Sequence, residues 1–277
     1  MIRRTCRRAL ERRLRRRAQP IGEAALDRPA IVLAPHPDDE VLGCGGLVAL
    51  KRRRGVPVTV VFLTDGAASH GDAPTGELAA IRRREALAAT GELGVGADEV
   101  RFLDLPDGGL TDAAVHAIDD LDGLVGDRLG HGTQLIVPHP LEPPPDHRAA
   151  HDVADALCRR RGAPTEALLY AVWWWDQWPW TDPLAPPRGR HPRRRIVATA
   201  MRGRLGLGPA SSLTTSVDVS TVLDVKRRAL SAHASQVARP EGSPDHLVLA
   251  DVADGEWLDL LLRPTERYAR TTLGGPS

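Results

Sequence analysis

The chain has 277 residues, of which 42% are hydrophobic, and its formal net charge is +1. This length suits one large domain or two small ones, and the nearly neutral charge argues against a dedicated nucleic-acid binder. The three cysteines match no disulfide framework or metal ribbon, which favours a reduced, cytoplasmic location, and no apolar run approaches the roughly 20 residues of a membrane span.

The N-terminus is set apart by its arginines, nine of which fall within residues 1–17. We interpret residues 1–27 as an Arg-rich tail or helix and residues 28–277 as a single domain. Two interpretations of the arginines stay open. They form a solvated, frayed tail, as charge runs usually do, or a weak anchor to anionic lipid or to an acidic partner.

Strand and helix patterns alternate along the rest of the chain. Short apolar runs predict strands at 30–34, 57–64, 100–103, 134–137 and 167–173. Helical spacing of apolar residues predicts helices at 40–54, 77–93, 111–129, 146–160 and 221–236. The alternation predicts an α/β fold with a Rossmann-like, doubly wound, mainly parallel sheet and helices on both faces.

Two segments fall outside this alternation. Residues 181–212 are rich in proline and arginine and predict a long surface loop or lid. Residues 247–263 predict one or two strands and a helical turn, which would form a small C-terminal extension. The ligand of a doubly wound sheet binds outside the carboxyl ends of the strands, so the residues that follow each strand decide the function.

The segment Pro35–Glu40 follows the first strand and reads Pro-His-Pro-Asp-Asp-Glu. His36 and Asp39 are three residues apart, so one turn can direct both to a single ion, and imidazole plus carboxylate is a normal zinc ligand pair. Asp38, beside a ligand, is left free to act as a base. Proline and acidic residues also suit the start of a helix, but a helix cap does not need His36.

A second group follows the fourth strand, at the same edge of the predicted sheet. His147 is placed there as a third metal ligand, which leaves one coordination position for water. Asp146 is expected to orient a ligand, to cap the following helix, or both. His151 lies one helical turn further on. A surface position is favoured, with contact to a metal ligand or to the substrate as alternatives, and no fourth protein ligand is needed.

Five of the six tryptophans fall between Trp173 and Trp180. Packing at the end of the fifth strand accounts for about half of them, because a strand directs side chains both ways. The others suit the apolar face of a sugar, so Trp175 and Asp176 are predicted to bind substrate. The arginines at 188, 190 and 193–195 are interpreted as solvated charge, with contact to a substrate phosphate as the alternative.

With both groups in hand, the chain resembles the LmbE-like, or PIG-L, family of zinc-dependent de-N-acetylases. The Pro-His-Pro-Asp-Asp-Glu segment is the hallmark of that family, and Leu105–Gly108 matches its loop after the third strand. The resemblance implies an LmbE-like fold and a zinc ion bound by the histidines and aspartate named above, His36, Asp39 and His147.

The resemblance also implies roles for neighbouring residues. Asp38 would be the general base, and Arg82 would lie near the substrate, with pairing to Glu85 as an alternative. The family commonly has His-Pro-Asp-His at the second motif, and Pro144 replaces its first histidine here. That histidine often stabilises the oxyanion, so His139 or His233 is predicted to substitute, with zinc alone as the alternative.

The implied activity is zinc-dependent removal of the acetyl group from an N-acetylglucosamine-type conjugate, a small-molecule substrate. The alternative is a family member that binds zinc and a glycan with little or no catalysis. A nucleotide-binding domain is disfavoured because Gly43–Gly46 follow the acidic turn, where phosphate would meet carboxylates. No nucleic-acid partner is expected, and assembly into a homo-oligomer stays open.

Overall fold

The computed structural model describes residues 2–68, 75–130, 132–182, 201, 204–243 and 246–275. Eight strands form one sheet: β1 Gln19–Pro20, β2 Ala30–Ala34, β3 Val58–Thr64, β4 Val100–Leu105, β5 Gln134–Pro138, β6 Thr165–Tyr170, β7 Thr215–Asp218 and β8 Thr265–Leu273. Their order in the sheet is β1-β7-β8-β6-β5-β2-β3-β4.

Ten helices surround the sheet within the described residues: α1 Ile2–Arg17, α2 Glu23–Leu26, α3 Asp39–Arg53, α4 Thr75–Glu92, α5 Ala114–Val125, α6 Pro145–Arg160, α7 Leu207–Ser212, α8 Leu223–Ala232, α9 Ala234–Val237 and α10 Glu256–Leu261. None of them is both long and apolar enough to cross a membrane.

The sheet is mostly parallel. Strand β2 pairs in parallel with β3 and β5, and β4 and β6 continue the two sides in parallel. Strand β8 is antiparallel to both β6 and β7. The chain therefore adds strands outward from β2 in one direction and from β5 in the other. The predicted α/β fold is confirmed, and the order of the strands reverses between β2 and β5.

Both faces of the central strands are buried. All five residues of β2 are buried, with Val32 in one apolar core and Ile31 and Leu33 in the other. Alternate side chains of a strand point to opposite faces, so each face of β2 is covered by its own core. This explains why the central strands read as continuous apolar runs rather than alternating ones.

Three expectations about individual elements differ from the structure. The fifth predicted strand ends at Tyr170, and Trp173–Trp175 form a 3₁₀ turn. Residues 247–263 contain no strand: Leu249–Gly255 form 3₁₀ turns interrupted by non-helical backbone at Val252, Ala253 and Asp254, and α10 follows. In the predicted loop at 181–212, Leu207–Ser212 is helical, and residues 183–200 and 202–203 lie outside the described residues.

The Arg-rich N-terminus is an ordered helix and not the frayed tail that its charge suggested. Leu14 of α1 is buried in the main core, and the Arg3 guanidinium lies 2.6 Å from the Glu256 carboxylate of α10. Glu11 accepts a 3.0 Å hydrogen bond from Arg263. These contacts hold one side of α1 against the C-terminal part of the chain. The domain boundary at residue 27 stays a prediction.

Candidate metal centre and active site

The turn between β2 and α3 holds an unusual backbone conformation. Asp38 has φ 131° and ψ −26°, a conformation that residues with a Cβ adopt rarely and at a cost in strain. Its N–H donates a 2.9 Å hydrogen bond to the Glu40 carboxylate, whose other oxygen lies 2.7 Å from Nε2 of buried His233. Glu40 and His233 therefore brace the turn that presents Asp38.

Three side chains converge beside this turn, at the reversal point between β2 and β5. One carboxylate oxygen of Asp39, Oδ2, lies 3.3 Å from Nδ1 of His36 and 3.3 Å from Nε2 of His147. The ligand atoms of this group lie within 4.8 Å of one another. The structure thus brings together His36, Asp39 and His147, the three predicted metal ligands.

His147 gives an independent test of whether this group suits a metal. The residue is fully buried, and neither ring nitrogen has a well-aligned hydrogen bond to any described residue. Buried polar atoms without partners are costly and uncommon. A divalent ion between His147 and Asp39 would supply the missing partner to Nε2, so the donor set fits a metal.

The charges around His147 also favour a cation. Burial alone would lower its pKa, but the Asp39 and Glu142 carboxylates outweigh burial and raise the pKa to about 9. Burial likewise opposes ionisation of Asp39, yet the neighbouring His147 and His36 hold the Asp39 pKa well below its usual range. The carboxylates thus stabilise positive charge at the point where the ligand atoms meet.

The second ring nitrogen of His36 faces two other carboxylates. Nε2 lies 3.1 Å from Oδ1 of Asp107 and 3.3 Å from Oδ2 of Asp146. Asp146 already accepts backbone hydrogen bonds from Gly108 and Leu110, at 2.7 and 3.2 Å. The ligand atoms of His36, Asp107 and Asp146 also lie within 4.8 Å of one another, but Asp146 has more hydrogen-bond partners than His147. A proton on Nε2 shared with these aspartates leaves Nδ1 free to bind a metal.

Asp146 therefore lies where a residue that orients a ligand is expected. The alternative role as a helix cap is not seen. Pro144 occupies the N-cap position of α6 and no side chain caps the helix. Asp146 instead ties the start of α6 to the loop after β4 through its bonds to Gly108 and Leu110.

We call His36, Asp39 and His147 the metal group. Asp38 lies beside it and is paired with Arg82. Oδ2 of Asp38 is 3.2 Å from Nη2 of Arg82. The Arg82 side chain is almost fully buried, and its guanidinium also donates to the carbonyl oxygens of Gly66 and Pro37. Burial raises the pKa of Asp38 to about 6, although Arg82 opposes the shift. The alternative pairing with Glu85 is not seen, because Glu85 accepts from Ser235.

A cavity of about 570 Å³ opens onto this group. His36, Asp38, Arg82 and Asp146 line it. The other lining residues come from five segments of the chain: Asp107, Gly108, Pro144, Pro145, Trp173, Asp176, Gln236, Leu247, Val248, Leu249, Val252 and Ala253. The predicted substrate residue Asp176 is among them, and its carboxylate accepts a 3.1 Å hydrogen bond from the Thr181 hydroxyl.

The structure places Trp173, rather than the predicted Trp175, in this cavity. Successive side chains of a 3₁₀ turn point about 120° apart, so the three tryptophans go to three different places. Trp173 lines the cavity and stacks on Trp257, whereas Trp175 packs edge-on against Trp180 and lines a separate cavity. The prediction of Trp175 assumed that the tryptophans alternate along a strand, but the strand ends at Tyr170, before Trp173.

Neither histidine predicted to replace the missing motif histidine lines the cavity. His139 is buried with its ring stacked on Trp174, its Nδ1 accepts from the Leu141 N–H, and burial lowers its pKa to about 4. His233 is buried behind the Asp38 turn with its Nε2 at Glu40. Both are thus held by other side chains and do not line the cavity.

Glu142 is a site residue that the sequence did not reveal. Its fully buried carboxylate accepts hydrogen bonds from the N–H groups of Val172, Trp173 and Trp174, at 3.2, 2.9 and 2.8 Å. The same carboxylate lies 3.0 Å from Nδ1 of His147. The only sequence signal is a single glutamate among the prolines that precede α6. Its two sets of partners become visible only in three dimensions.

Comparison with known proteins identifies the family. The family described as PIG-L: GlcNAc-PI de-N-acetylase matches residues 31–158, a span that includes both motifs. A 1D-myo-inositol 2-acetamido-2-deoxy-alpha-D-glucopyranoside deacetylase of Nocardia farcinica is 31% identical over 75% of this chain and 80% of its own length. The chain belongs to the PIG-L family. The predicted family is therefore confirmed.

Two further comparisons concern a second relative and a solved structure. A probable N-acetyl-alpha-D-glucosaminyl L-malate deacetylase 2 of Bacillus subtilis is 28% identical over 74% of this chain and 82% of its own length. The solved N,N'-diacetylchitobiose deacetylase of Pyrococcus horikoshii superposes with a TM-score of 0.60 at 20% identity, over 89% of this chain and 84% of that one. The structural match shows a shared fold.

Proposed function

We propose that this PIG-L protein is a zinc-dependent hydrolase that removes the N-acetyl group from an N-acetylglucosamine-type conjugate. The observation that carries the proposal is the placement of Asp38, a buried carboxylate with a pKa of about 6, beside the His36, Asp39 and His147 group at one end of an open cavity. The names of the two deacetylase relatives support an acetylated amino sugar as the substrate.

The chain supplies the metal ligands and the base. His36, Asp39 and His147 would hold the ion, and Asp107 and Asp146 would fix the orientation of the His36 ring. Zinc, when bound, supplies Lewis-acid activation of water and stabilisation of negative charge on the acetyl oxygen. Asp38 accepts the proton of the attacking water on its carboxylate and then delivers it to the departing amine.

Arg82 and Glu40 position Asp38, and Arg82 also lines the cavity that would hold the substrate. The Arg82 guanidinium holds the Asp38 carboxylate in one orientation, and Glu40 holds its backbone N–H in the strained turn. The sugar would lie further out in the cavity, with the Trp173 indole against its apolar face and the Asp176 carboxylate accepting from a hydroxyl. In this arrangement, the acetyl group points toward the metal ligands.

The direct test is turnover of N-acetylglucosamine conjugates, measured as free amine, by purified protein and by an Asp38→Asn variant. Loss of the base should lower kcat by about 10²–10⁴, with one equivalent of metal retained by elemental analysis. A His147→Gln variant should lose both metal and rate. Equal turnover by the Asp38→Asn variant and the wild type would contradict the proposed mechanism.

The alternative function, binding of zinc and a glycan with little catalysis, is supported by one observation. His139 and His233, the two candidates for the missing electrophile, both lie outside the cavity. A metal-loaded protein that binds N-acetylglucosamine conjugates by calorimetry but releases no amine would favour this alternative over the hydrolase.

A further inference from the structure

Helix α1 has two different sides. Its inner side packs against the domain: Leu14 is buried, the Arg3 guanidinium is paired with Glu256, and Arg7 donates a 2.9 Å hydrogen bond to the Trp180 carbonyl. Glu11, the single acidic residue of α1, accepts from Arg263 on this side. The rotation of the helix about its axis is therefore fixed, and its outer side must face away from the domain.

The outer side is made of arginines. Six of them are exposed and form no ion pair with any described residue: Arg4, Arg8, Arg12, Arg13, Arg16 and Arg17. Residues four apart lie on neighbouring turns of one helix face, so four of these six, Arg4, Arg8, Arg12 and Arg16, form a continuous row along the helix. We call the six arginines the basic face.

The charge of the chain is concentrated on this helix. Helix α1 contains nine arginines and one glutamate, a formal charge of +8, whereas the whole chain carries +1, so the other residues together carry −7. A protein with this separation of charge is attracted to an anionic surface by one side and repelled by the remainder, which orients its approach.

Exposed apolar side chains lie on the segment that packs against α1. Leu205 and Leu207 have exposed fractions of 58% and 45%. Gly206 between them packs so closely on α1 that an added Cβ would lie 2.9 Å from Cδ1 of Leu10. Large apolar side chains that remain in water on a segment packed against an arginine-rich helix match the composition of a surface that enters the headgroup region of a lipid bilayer.

We propose that the basic face, together with Leu205 and Leu207, docks this protein on anionic lipid. The arginines would contact lipid phosphates while the two leucines enter the boundary between headgroups and acyl chains. The inner side of α1 is already occupied by the domain, so the helix would lie flat on the bilayer as part of the folded protein. Binding to nucleic acid would use the arginines but would give no role to the exposed leucines.

The proposal is tested by flotation of the full chain with vesicles of phosphatidylcholine alone or with about 30 mol% phosphatidylglycerol. We expect binding only to the anionic vesicles. Each arginine at an anionic surface contributes about a fivefold factor, so the Arg8→Gln, Arg12→Gln, Arg16→Gln triple variant should lower the partition constant on the order of 100-fold. Circular dichroism and the melting temperature establish that this variant is folded.

A matched triple variant distinguishes binding through the basic face from general attraction by net charge. Arg53→Gln, Arg84→Gln and Arg227→Gln remove the same charge from exposed positions on α3, α4 and α8, and we expect a much smaller loss of binding. An equal loss in both triple variants, or equal binding to vesicles without phosphatidylglycerol, would overturn the proposal.

The leucines are tested where charge attraction is weak. At about 0.5 M salt the Debye length falls to roughly 4 Å, so binding that persists depends on apolar contact. The Leu205→Ser, Leu207→Ser variant should lose this residual binding. Unchanged binding of that variant, or tighter binding of the wild type to a short DNA duplex than to anionic vesicles, would overturn the assignment to lipid.

Discussion

Glu142 connects the metal group to the wall of the cavity. Its carboxylate lies against Nδ1 of His147 and accepts three backbone hydrogen bonds from residues 172–174. One buried side chain therefore contacts the proposed metal ligand His147 and holds the turn that presents Trp173. Residues that orient metal ligands in this way affect metal binding nearly as much as the ligands do.

We expect Glu142→Gln to weaken zinc binding by about 10–100-fold, because a neutral amide no longer fixes the His147 ring. Competition with a chelator of known affinity measures the effect. Glu166→Gln is the matched control, since Glu166 is a partly buried carboxylate that pairs with Arg270 and Arg28 away from the site. Equal zinc affinity in the Glu142→Gln variant and the control would contradict the role assigned to Glu142.

Trp173 and Trp175 are two residues apart but have different roles: Trp173 lines the cavity, and Trp175 packs against Trp180. Trp173→Ala removes the indole from the cavity and should raise KM for amino-sugar conjugates by up to about tenfold, the upper range for one aromatic contact. Trp175→Ala leaves the cavity unchanged and should lower stability with KM unaltered. Steady-state kinetics on the two variants measures KM for each. A KM effect confined to Trp175→Ala would refute the assignment of Trp173 to the substrate cavity.

Among the elements, α3 depends on close approach to the sheet. A Cβ at Gly43 would lie 2.3 Å from the ring of Tyr170, a fully buried side chain whose hydroxyl donates to the Leu33 carbonyl. Gly43, Gly45 and Gly46 all lie within α3 and face side chains, which agrees with the prediction that this segment is not a phosphate-binding loop. Because α3 begins at Asp39, its distance from the sheet also sets the position of this proposed metal ligand.

Gly43→Ala should therefore destabilise the fold by about 1–3 kcal/mol, the usual cost of overpacking a core. Gly45→Ala is the control on the same helix, because its Cβ would meet neighbours at an ordinary 3.4 Å. Alanine is favoured over glycine in a helix, so this variant should be neutral or more stable by up to about 1 kcal/mol. Denaturant midpoints compare the two, and equal midpoints would contradict the packing argument.

The elements that could be predicted from sequence are those with local signals. The central strands β2, β3 and β5 are continuous apolar runs, and the ligands at 36 and 39 lie in one short motif. Strand β8 escaped prediction because it is mostly polar, with Tyr268, Ala269 and Leu273 as its apolar residues, and it finds its antiparallel partners, β6 and β7, only in the folded sheet. The choice of Trp173 over Trp175 depended on where β6 ends, which propensity does not determine.

At the scale of the whole molecule, the metal group joins parts of the chain that are far apart in sequence. His36 lies in the turn after β2, Asp39 begins α3, and His147 lies in the first turn of α6 more than 100 residues later. The three residues meet beside the reversal point of the strand order, where the two halves of the parallel sheet adjoin. An ion bound there would cross-link those halves, so unfolding of the domain should require release of the metal.

Zinc should accordingly stabilise the folded state by mass action, by about 4 kcal/mol when free zinc exceeds Kd 1,000-fold. For a domain of this size each kcal/mol corresponds to about 2–4 °C, so chelation should lower Tm by about 8–16 °C. Differential scanning calorimetry with and without chelator measures the shift. His147→Gln should abolish the shift, whereas His151→Gln should retain it, because His151 faces Asp152 and not the metal group. A metal-loaded wild type whose Tm does not respond to chelation would show that the site forms without supporting the fold.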